Sequence, residues 1–197
     1  MVTTNLESLW RKMWAYKDHG KSYEAVYERE HSQGYRWLHE SFGTNWRMTE
    51  MQAAIGRIQL KRMSDWHQKR LSNAGNIWRA AKKCKRLRVP PIPNHIEHAA
   101  YKCYVFVKGG VKLRDKIMFE INQKGVPCYS GSCSEVYLEK AFENTGFRPS
   151  ERLPFAKELG ETSLMFLVHP TLTKEEIQKT CDVLTEVSST YCNVKIE

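Results

Sequence analysis

Residues 42–60 read FGTNWRMTEMQAAIGRIQL, and the fold turns on how this stretch is divided. Thr49 followed three residues later by Gln52 has the form of a capping box, in which each side chain reaches the other's backbone N–H at a helix start. Beyond the cap, Met51, Ala54, Ile55, Ile58 and Met63 recur at helical spacing, one apolar face of a long helix predicted over 50–86. A core helix needs nothing more. Yet the segment ahead of the cap also carries Gly43, Asn45, Trp46 and Arg47. The first turn of a helix presents unpaired N–H groups and the positive end of the peptide dipole, and a nearby amide and guanidinium add directed donors suited to phosphate oxygens. The competing reading places Asn45 in a turn and pairs Arg47 with a local carboxylate such as Glu50.

Upstream, a helix is predicted over 5–17, followed by an irregular polar and aromatic stretch over 18–47. Downstream, RVPPIPNH stops the long helix near Arg88, because prolines cannot continue it, and divides the chain into 1–90 and 91–197. In HAAYKCYVFVKGG, Tyr101, Cys103, Val105 and Val107 alternate with Lys102, Tyr104 and Phe106, the period of a strand. A helix over 111–124 stops at Gly125, and VPCYS gives a short strand. A loop or helix runs on through Phe142, LPFAKELG gives a short helix, and TSLMFLV an apolar strand. Thr173 and Glu176 form a second capping box, opening a helix to about Ser188. The order β-α-β-(α)-β-α predicts a small α/β layer.

Composition narrows the functional classes. The chain has 197 residues, 41% of them hydrophobic and 11% aromatic, which predicts a folded core. MVTTNLESLW has no signal-peptide pattern and no apolar run reaches membrane-span length, so a cytoplasmic protein without a membrane span is expected. The six cysteines, at 84, 103, 128, 133, 181 and 192, form no CxxC or compact framework and read as reduced thiols, several of them buried. Of the net charge of +9, residues 1–90 hold the excess, with 18 Lys and Arg against 8 Asp and Glu. That asymmetry fits either a phosphate-bearing partner or a solvated helical face. His95 and His98 lack the further ligands of a zinc site, and Cys128 and Cys133 match no redox spacing, so no metal site is assigned. The sequence has no nucleophile elbow, no Walker loop and no dinucleotide-binding glycine pattern.

GTNWRMTEMQAAIGRIQL resembles the Gly-x-Asn-x-Arg-Met … Gln-Ala-Ala-x-Gly … Gln-Leu signature of the DegT-type sugar-nucleotide aminotransferases, pyridoxal-phosphate enzymes of the aspartate-aminotransferase fold. YKDHGKS resembles that family's His-Gly loop, GVPCYSGSCSEVYLEKAF its small-domain substrate loop, and LPFAKELGETSLMFLVHPTLTKEEI its closing segment. The four segments occur in the family's order over residues 1–188. The resemblance implies an α/β fold, the C-terminal part of an aspartate-aminotransferase-like (fold type I) pyridoxal-phosphate transferase. Residues 1–90 would be the end of the large domain, an interface loop and a long connecting helix. Residues 91–197 would be the small C-terminal α/β domain.

Asn45 matches the asparagine that, in such enzymes, crosses a dimer interface to the cofactor phosphate. Arg47 matches the accompanying arginine, which supports the same loop or meets substrate phosphate, and Tyr129 matches an aromatic residue near the nucleotide-sugar. Before Tyr129 this sequence has VPC, where many members place His or Arg, and no chemical role is assigned to His19. The resemblance implies pyridoxal phosphate, a nucleotide-sugar, an amino donor that is usually glutamate, and either a homodimer or a chain supplying the large domain. It also implies a place in amino-sugar or surface-polysaccharide biosynthesis.

The family's Schiff-base lysine and the aspartate facing the pyridine nitrogen lie upstream of a strand whose end MVTT resembles. Lys17 and Lys21 match no such motif, so no catalytic residue is assigned, and the chain alone is expected not to transaminate. Relatives with histidine for that lysine run deoxygenation instead, and this alternative stays open. Two other readings are a non-catalytic module docking on a full-length relative and, last, a non-specific nucleic-acid binder, although the sequence has no recognised nucleic-acid fold. Without a large-domain sheet, Leu6, Leu9, Trp10 and Met13 of the first helix are expected to be exposed.

Overall fold

The computed structural model describes residues 2–31 and 37–192; residues 32–36 of the expected irregular stretch lie outside, with Met1 and 193–197. Packing divides the chain into two units, Met1–Lys61 and Arg62–Glu197. The division falls inside the long helix, upstream of the proline-rich break at which the sequence was divided.

The first unit opens with α1 (Glu7–Lys17) and the five-residue α2 (Tyr23–Tyr27), which lies within the stretch expected to be irregular. The Ser22 side chain caps α2 by accepting from the Ala25 N–H at 3.0 Å. Trp10 and Trp14 on α1, and Tyr23 and Tyr27 on α2, each stand four residues apart and so share a helix face. Their rings interlock, with centroids 5.1 Å apart for Trp10–Tyr23 and 5.3 Å for Trp14–Tyr23. Each such pair adds about 0.5–1.5 kcal/mol beyond its buried area. Arg11 joins the two helices by pairing with Glu7 and Glu24. Residues 2–4, where the end of a strand was expected, lie in no strand. Leu6 and Leu9 are exposed as expected, whereas Trp10 and Met13 are half-buried.

The long helix is α3 (Glu50–Ala81). Its capping box is present: Gln52 N–H donates to Thr49 Oγ1 at 3.3 Å, and Thr49 N–H to Gln52 Oε1 at 3.0 Å. In the first unit the expected apolar face is open to solvent, with Met51, Ile55 and Ile58 exposed. The helix ends at Ala81, short of the expected residue 86. A tight turn follows, in which Lys83 N–H donates to Ala80 O and Cys84 N–H to Ala81 O, and it delivers Leu87 to a strand.

That strand, β1 (Leu87–Arg88), begins the sheet of the second unit. It is joined by β2 (Cys103–Val107), β3 (Cys128–Tyr129) and β4 (Ser163–Phe166) in the order β1-β2-β4-β3, every pair antiparallel. The alternation in β2 holds from Cys103: Cys103, Val105 and Val107 are buried, while Tyr101 lies before the strand and is exposed. In β4 all four residues are buried, as a central strand covered on both faces requires. Helices α4 (Gly110–Gln123), α5 (Pro154–Thr162) and α6 (Lys174–Tyr191) complete the unit. Two short 3-10 turns, Val136–Leu138 and Lys140–Phe142, occupy the loop-or-helix stretch. The second capping box is formed at Thr173 and Glu176. One core unites Ala74, Ile77 and Ala81 of α3 with Ile117 and Ile121 of α4, Leu164 and Phe166 of β4, and Leu184 and Val187 of α6.

Arg114, buried on α4, donates from Nη1 to Gly160 O at 3.0 Å and to Ser163 O at 3.1 Å. It thereby satisfies carbonyls at the end of α5 and places a cation at the negative end of that helix's dipole.

The cysteines depart from the expectation of six reduced thiols. Cys84 and Cys192 are joined by a disulfide, because α6 returns its C-terminal end to the turn after α3. Cys103, Cys128, Cys133 and Cys181 are free. Burial pushes the Cys103 thiol well above its ordinary range and Cys128 up to about 12, so both are inert packing groups. Among the described residues no helix is long and apolar enough to cross a membrane, and no group of three or more His, Cys, Asp or Glu could hold a metal ion.

Phe166 is fully buried, whereas Phe119 on α4 is exposed. Phe166→Ala should therefore cost about 3–5 kcal/mol of stability and Phe119→Ala within about 0.5 kcal/mol, read from urea unfolding of the full chain. Equal losses for the two would contradict the core assignment.

Candidate functional site

In the first unit, the segment ahead of α3 is bound to the end of α1 through backbone groups. His19 N–H donates to Thr44 O at 3.1 Å, Thr44 N–H to Tyr16 O at 2.7 Å, and Trp46 N–H to Lys17 O at 3.0 Å. Isolated bridges pair Asp18 with Asn45 and Lys21 with His39. The two motifs read separately in the sequence, YKDHGKS and GTNWR, are thus one structure. Such close approach explains the glycines. A Cβ on Gly43 would come within 2.6 Å of Tyr16 O and 2.9 Å of His19 C, and one on Gly20 would collide with the Ser41 carbonyl. His19 and Gly20 both take positive φ, 59° and 88°, which turns the chain out of α1 and back along its partner segment.

Asn45 is exposed on this pinned segment, and its Oδ1 accepts from the Arg47 N–H at 3.4 Å. Asn45 lies in an isolated bridge with Asp18 and not in the expected turn, and the carboxylate paired with Arg47 is Asp18 and not Glu50. Arg47 Nε lies 3.5 Å from Asp18 Oδ1. That separation is within ion-pair range, yet the oxygen is buried and has no hydrogen-bond donor. Arg47 therefore acts on Asp18 as a charge, not through a directed bond. Asp18 went unsingled in the sequence because its partner is brought to it only by the backbone pairing. The loop borders a cavity of about 420 Å³ lined by His19, His39, Ser41 and Gly43.

Tyr129 belongs to the second unit. Its backbone is fixed on β3, paired to Met165 of β4. Asn122 on α4 brackets the preceding residue, donating to Cys128 O at 2.7 Å and accepting from Cys128 N–H at 3.2 Å. The ring itself is half exposed, so a rigid backbone presents an open aromatic side chain. The loop that follows lines a cavity of about 470 Å³ with Ser130, Ser132, Cys133, Glu135, Arg152 and Glu161. Glu135 and Arg152 form a two-pronged pair, with Nε to Oε1 at 2.9 Å and Nη2 to Oε2 at 2.6 Å. Tyr137 OH donates to Glu135 Oε1 at 2.7 Å and accepts from the Leu153 N–H at 2.9 Å. On the other side of the loop, Ser132 N–H donates to Tyr104 OH at 3.1 Å, and Lys102 Nζ to Ser132 Oγ at 2.9 Å. Glu135 and Arg152 were not singled out in the sequence. Seventeen positions separate them, and no short-range pattern marks the pair.

The Arg152 hydrogen bonds hold the Glu135 carboxyl at about 2, below its ordinary 4.5. A carboxylate with a depressed folded pKa stabilises the fold above its unfolded value and loses that contribution as pH falls through the folded one. The wild-type chain should therefore lose stability between about pH 4.5 and pH 2. Glu135→Gln should lack this component, as read from unfolding midpoints across that range. Identical pH profiles for the two proteins would remove the pair from the loop's support.

A four-stranded antiparallel sheet packed with helices behind one long helix is the C-terminal part of an aspartate-aminotransferase-like, fold type I pyridoxal-phosphate transferase. The chain belongs to the DegT/DnrJ/EryC1/StrS aminotransferase family, whose model matches residues 1–185. It is 62% identical to an aminotransferase from Psychrobacter cryohalolentis of known structure, with a TM-score of 0.86, covering 95% of this chain and 51% of that one. The structure of Helicobacter pylori PseC, an aminotransferase involved in the biosynthesis of pseudoaminic acid, shares the fold at 18% identity and a TM-score of 0.76, over 95% of this chain and 48% of that one. Among curated proteins, the erythromycin biosynthesis sensory transduction protein EryC1 of Saccharopolyspora erythraea is 26% identical over 147 residues, which are 75% of this chain and 39% of that protein. The chain thus spans about half the length of these solved structures, and less of the curated relative.

Proposed function

We propose that the chain is the C-terminal portion of a pyridoxal-phosphate-dependent sugar-nucleotide aminotransferase that works in amino-sugar or surface-polysaccharide biosynthesis. The observation that carries this reading is the pinned loop of the first unit, which presents the exposed Asn45 from a backbone fixed by three main-chain hydrogen bonds to α1 and the loop after it. The donor set fits the phosphate end of the cofactor. Asn45 has an amide to offer, and Arg47, held beside it by the buried Asp18, adds positive charge without leaving the loop. The capping box uses the Gln52 N–H, one of the first-turn donors of α3, and these side chains add directed donors ahead of that helix end.

When bound, pyridoxal phosphate supplies an electron sink for proton movement at the carbon bearing the amine. The residues of this chain bind and orient. Asn45 donates to a phosphate oxygen, Asp18 and Arg47 keep the loop in register, and Tyr129 offers its ring to the nucleotide-sugar from the rigid β3 edge. The Glu135–Arg152 pair holds the loop beyond it. The proton-moving amine and the group facing the cofactor ring belong to the large domain of such an enzyme, and no residue of this portion is assigned to either task. The open apolar faces suit packing against that domain, in a homodimer or from a chain that supplies it. Trp10, Trp14, Trp46 and Met13 line a groove of about 670 Å³ in the first unit, and Met51, Ile55 and Ile58 are exposed on α3.

Two measurements test this. With pyridoxal phosphate and borohydride, the isolated chain should trap no stoichiometric cofactor on any lysine, as judged by intact mass; one cofactor fixed on a single lysine would overturn the division of labour. In a complex with a full-length relative, Asn45→Ala should weaken cofactor binding by about 10-fold or more, the cost of one hydrogen bond to a charged group. Unchanged affinity would take Asn45 out of the cofactor site.

A further inference from the structure

Six cysteines enter the chain, and only two of them meet. Cys84 sits in the turn between α3 and β1, Cys192 caps the end of α6, and their Cα atoms are 5.8 Å apart, the usual span of a disulfide. We propose that this pair is an oxidisable dithiol site, a reversible covalent tether that fastens the last helix to the corner after α3. It is independent of the aminotransferase reading.

Non-covalent contacts hold the two positions together whether or not the bond is made. Arg86 Nε donates to Tyr191 O at 3.1 Å, directly beside Cys192. Tyr191 is buried, its hydroxyl donates to Glu120 of α4, and the Lys116 ammonium lies 5.3 Å from its ring centre. Val187 and Leu184, on the preceding turns of α6, are locked in the core with Cys84 itself. The end of α6 is therefore docked by packing and hydrogen bonds that keep the two cysteines within reach of each other. The other four cysteines are unbonded: Cys103 and Cys128 are buried, Cys181 is half-buried, and Cys133 is exposed in a different loop.

The chemistry is that of a peroxide oxidant. Cys192 is partly exposed while Cys84 is buried, so the Cys192 thiolate meets hydrogen peroxide first. It attacks one peroxide oxygen, the O–O bond breaks, and a sulfenic acid forms with release of water. The Cys84 sulfur then attacks the sulfenic sulfur, the S–O bond breaks, and a second water leaves with both thiol protons accounted for. Two thiols and one peroxide give one disulfide and two waters. A dithiol reductant reverses the bond by exchange, ending as its own disulfide. Because the tether closes a separation of 108 residues, it restricts the unfolded chain strongly and should raise the melting temperature.

The test is thiol alkylation of the full chain under denaturing conditions, read by intact mass and peptide mapping. After brief treatment of the folded protein with hydrogen peroxide, four thiols should be alkylated, with one Cys84–Cys192 cross-link. After dithiothreitol all six should react, and peroxide should restore the link without unfolding. Dithiothreitol should lower the melting temperature of the wild type by several degrees and leave Cys192→Ser unmoved. Since Cys192→Ser alters only the partly exposed member, it tests the tether with the core intact, and the wild type with and without reductant gives the same reading if that variant fails to fold. Six reactive thiols after peroxide, a link between other cysteines, or chains joined through Cys133 would each overturn the proposal.

Discussion

Strand β4 is the element on which the second unit depends. It is four residues long, buried throughout, and bonded on one edge to β2 and on the other to β3. Its start is fixed by Arg114, whose guanidinium reaches the Ser163 carbonyl, and by the Ser163 hydroxyl, which donates to Ser130 O at 2.6 Å. Displacing β4 would withdraw the register of β3, and with it the position of Tyr129. The loop after Tyr129 would lose its anchor at Ser130 as well. A short central strand thus sets both the core and the presentation of a candidate ligand-binding ring. Arg114 is buried without harm because it is spent on carbonyls that would otherwise lack partners.

The first unit follows a different logic. Its buried apolar content is small: among the described residues, Ala25 on α2 is fully buried, while the aromatic rings of α1 and α2 are partly open. Its order comes from backbone-to-backbone contact between the end of α1 and the segment ahead of α3. The loop is held by its backbone, while the helices that flank it keep apolar residues such as Leu9 and Met51 exposed.

What was legible in the sequence was local. The boxes at Thr49–Gln52 and Thr173–Glu176 were visible because both partners lie within one turn. The alternation from Cys103 to Val107 marked β2 because each side chain answers to its own face of the sheet. The family resemblance was carried by such local segments too, and it made Asn45, Arg47 and Tyr129 candidates. What escaped depended on distance along the chain. Asp18 meets Arg47, Glu135 meets Arg152, and Cys84 meets Cys192 only once the fold has closed. The two residues of β1 carry too little pattern to announce a strand, and α2 is hidden by aromatic residues that equally suit a loop.

The loop after β3 has a frame and a filling, and they are supplied by different atoms. The frame consists of the Ser130 carbonyl, the Ser132 amide on Tyr104, the Glu135–Arg152 pair and the Tyr137 hydroxyl. Gly131 belongs to it too, since a side chain there would strike the Tyr104 ring. Ser130 and Cys133 line the adjoining cavity, yet Ser130 enters the frame through its main chain and Cys133 points to solvent. Lineages carrying this scaffold can exchange those two side chains while the loop keeps its shape. The wall of the cavity can then change by single steps, each one passing through a folded ancestor.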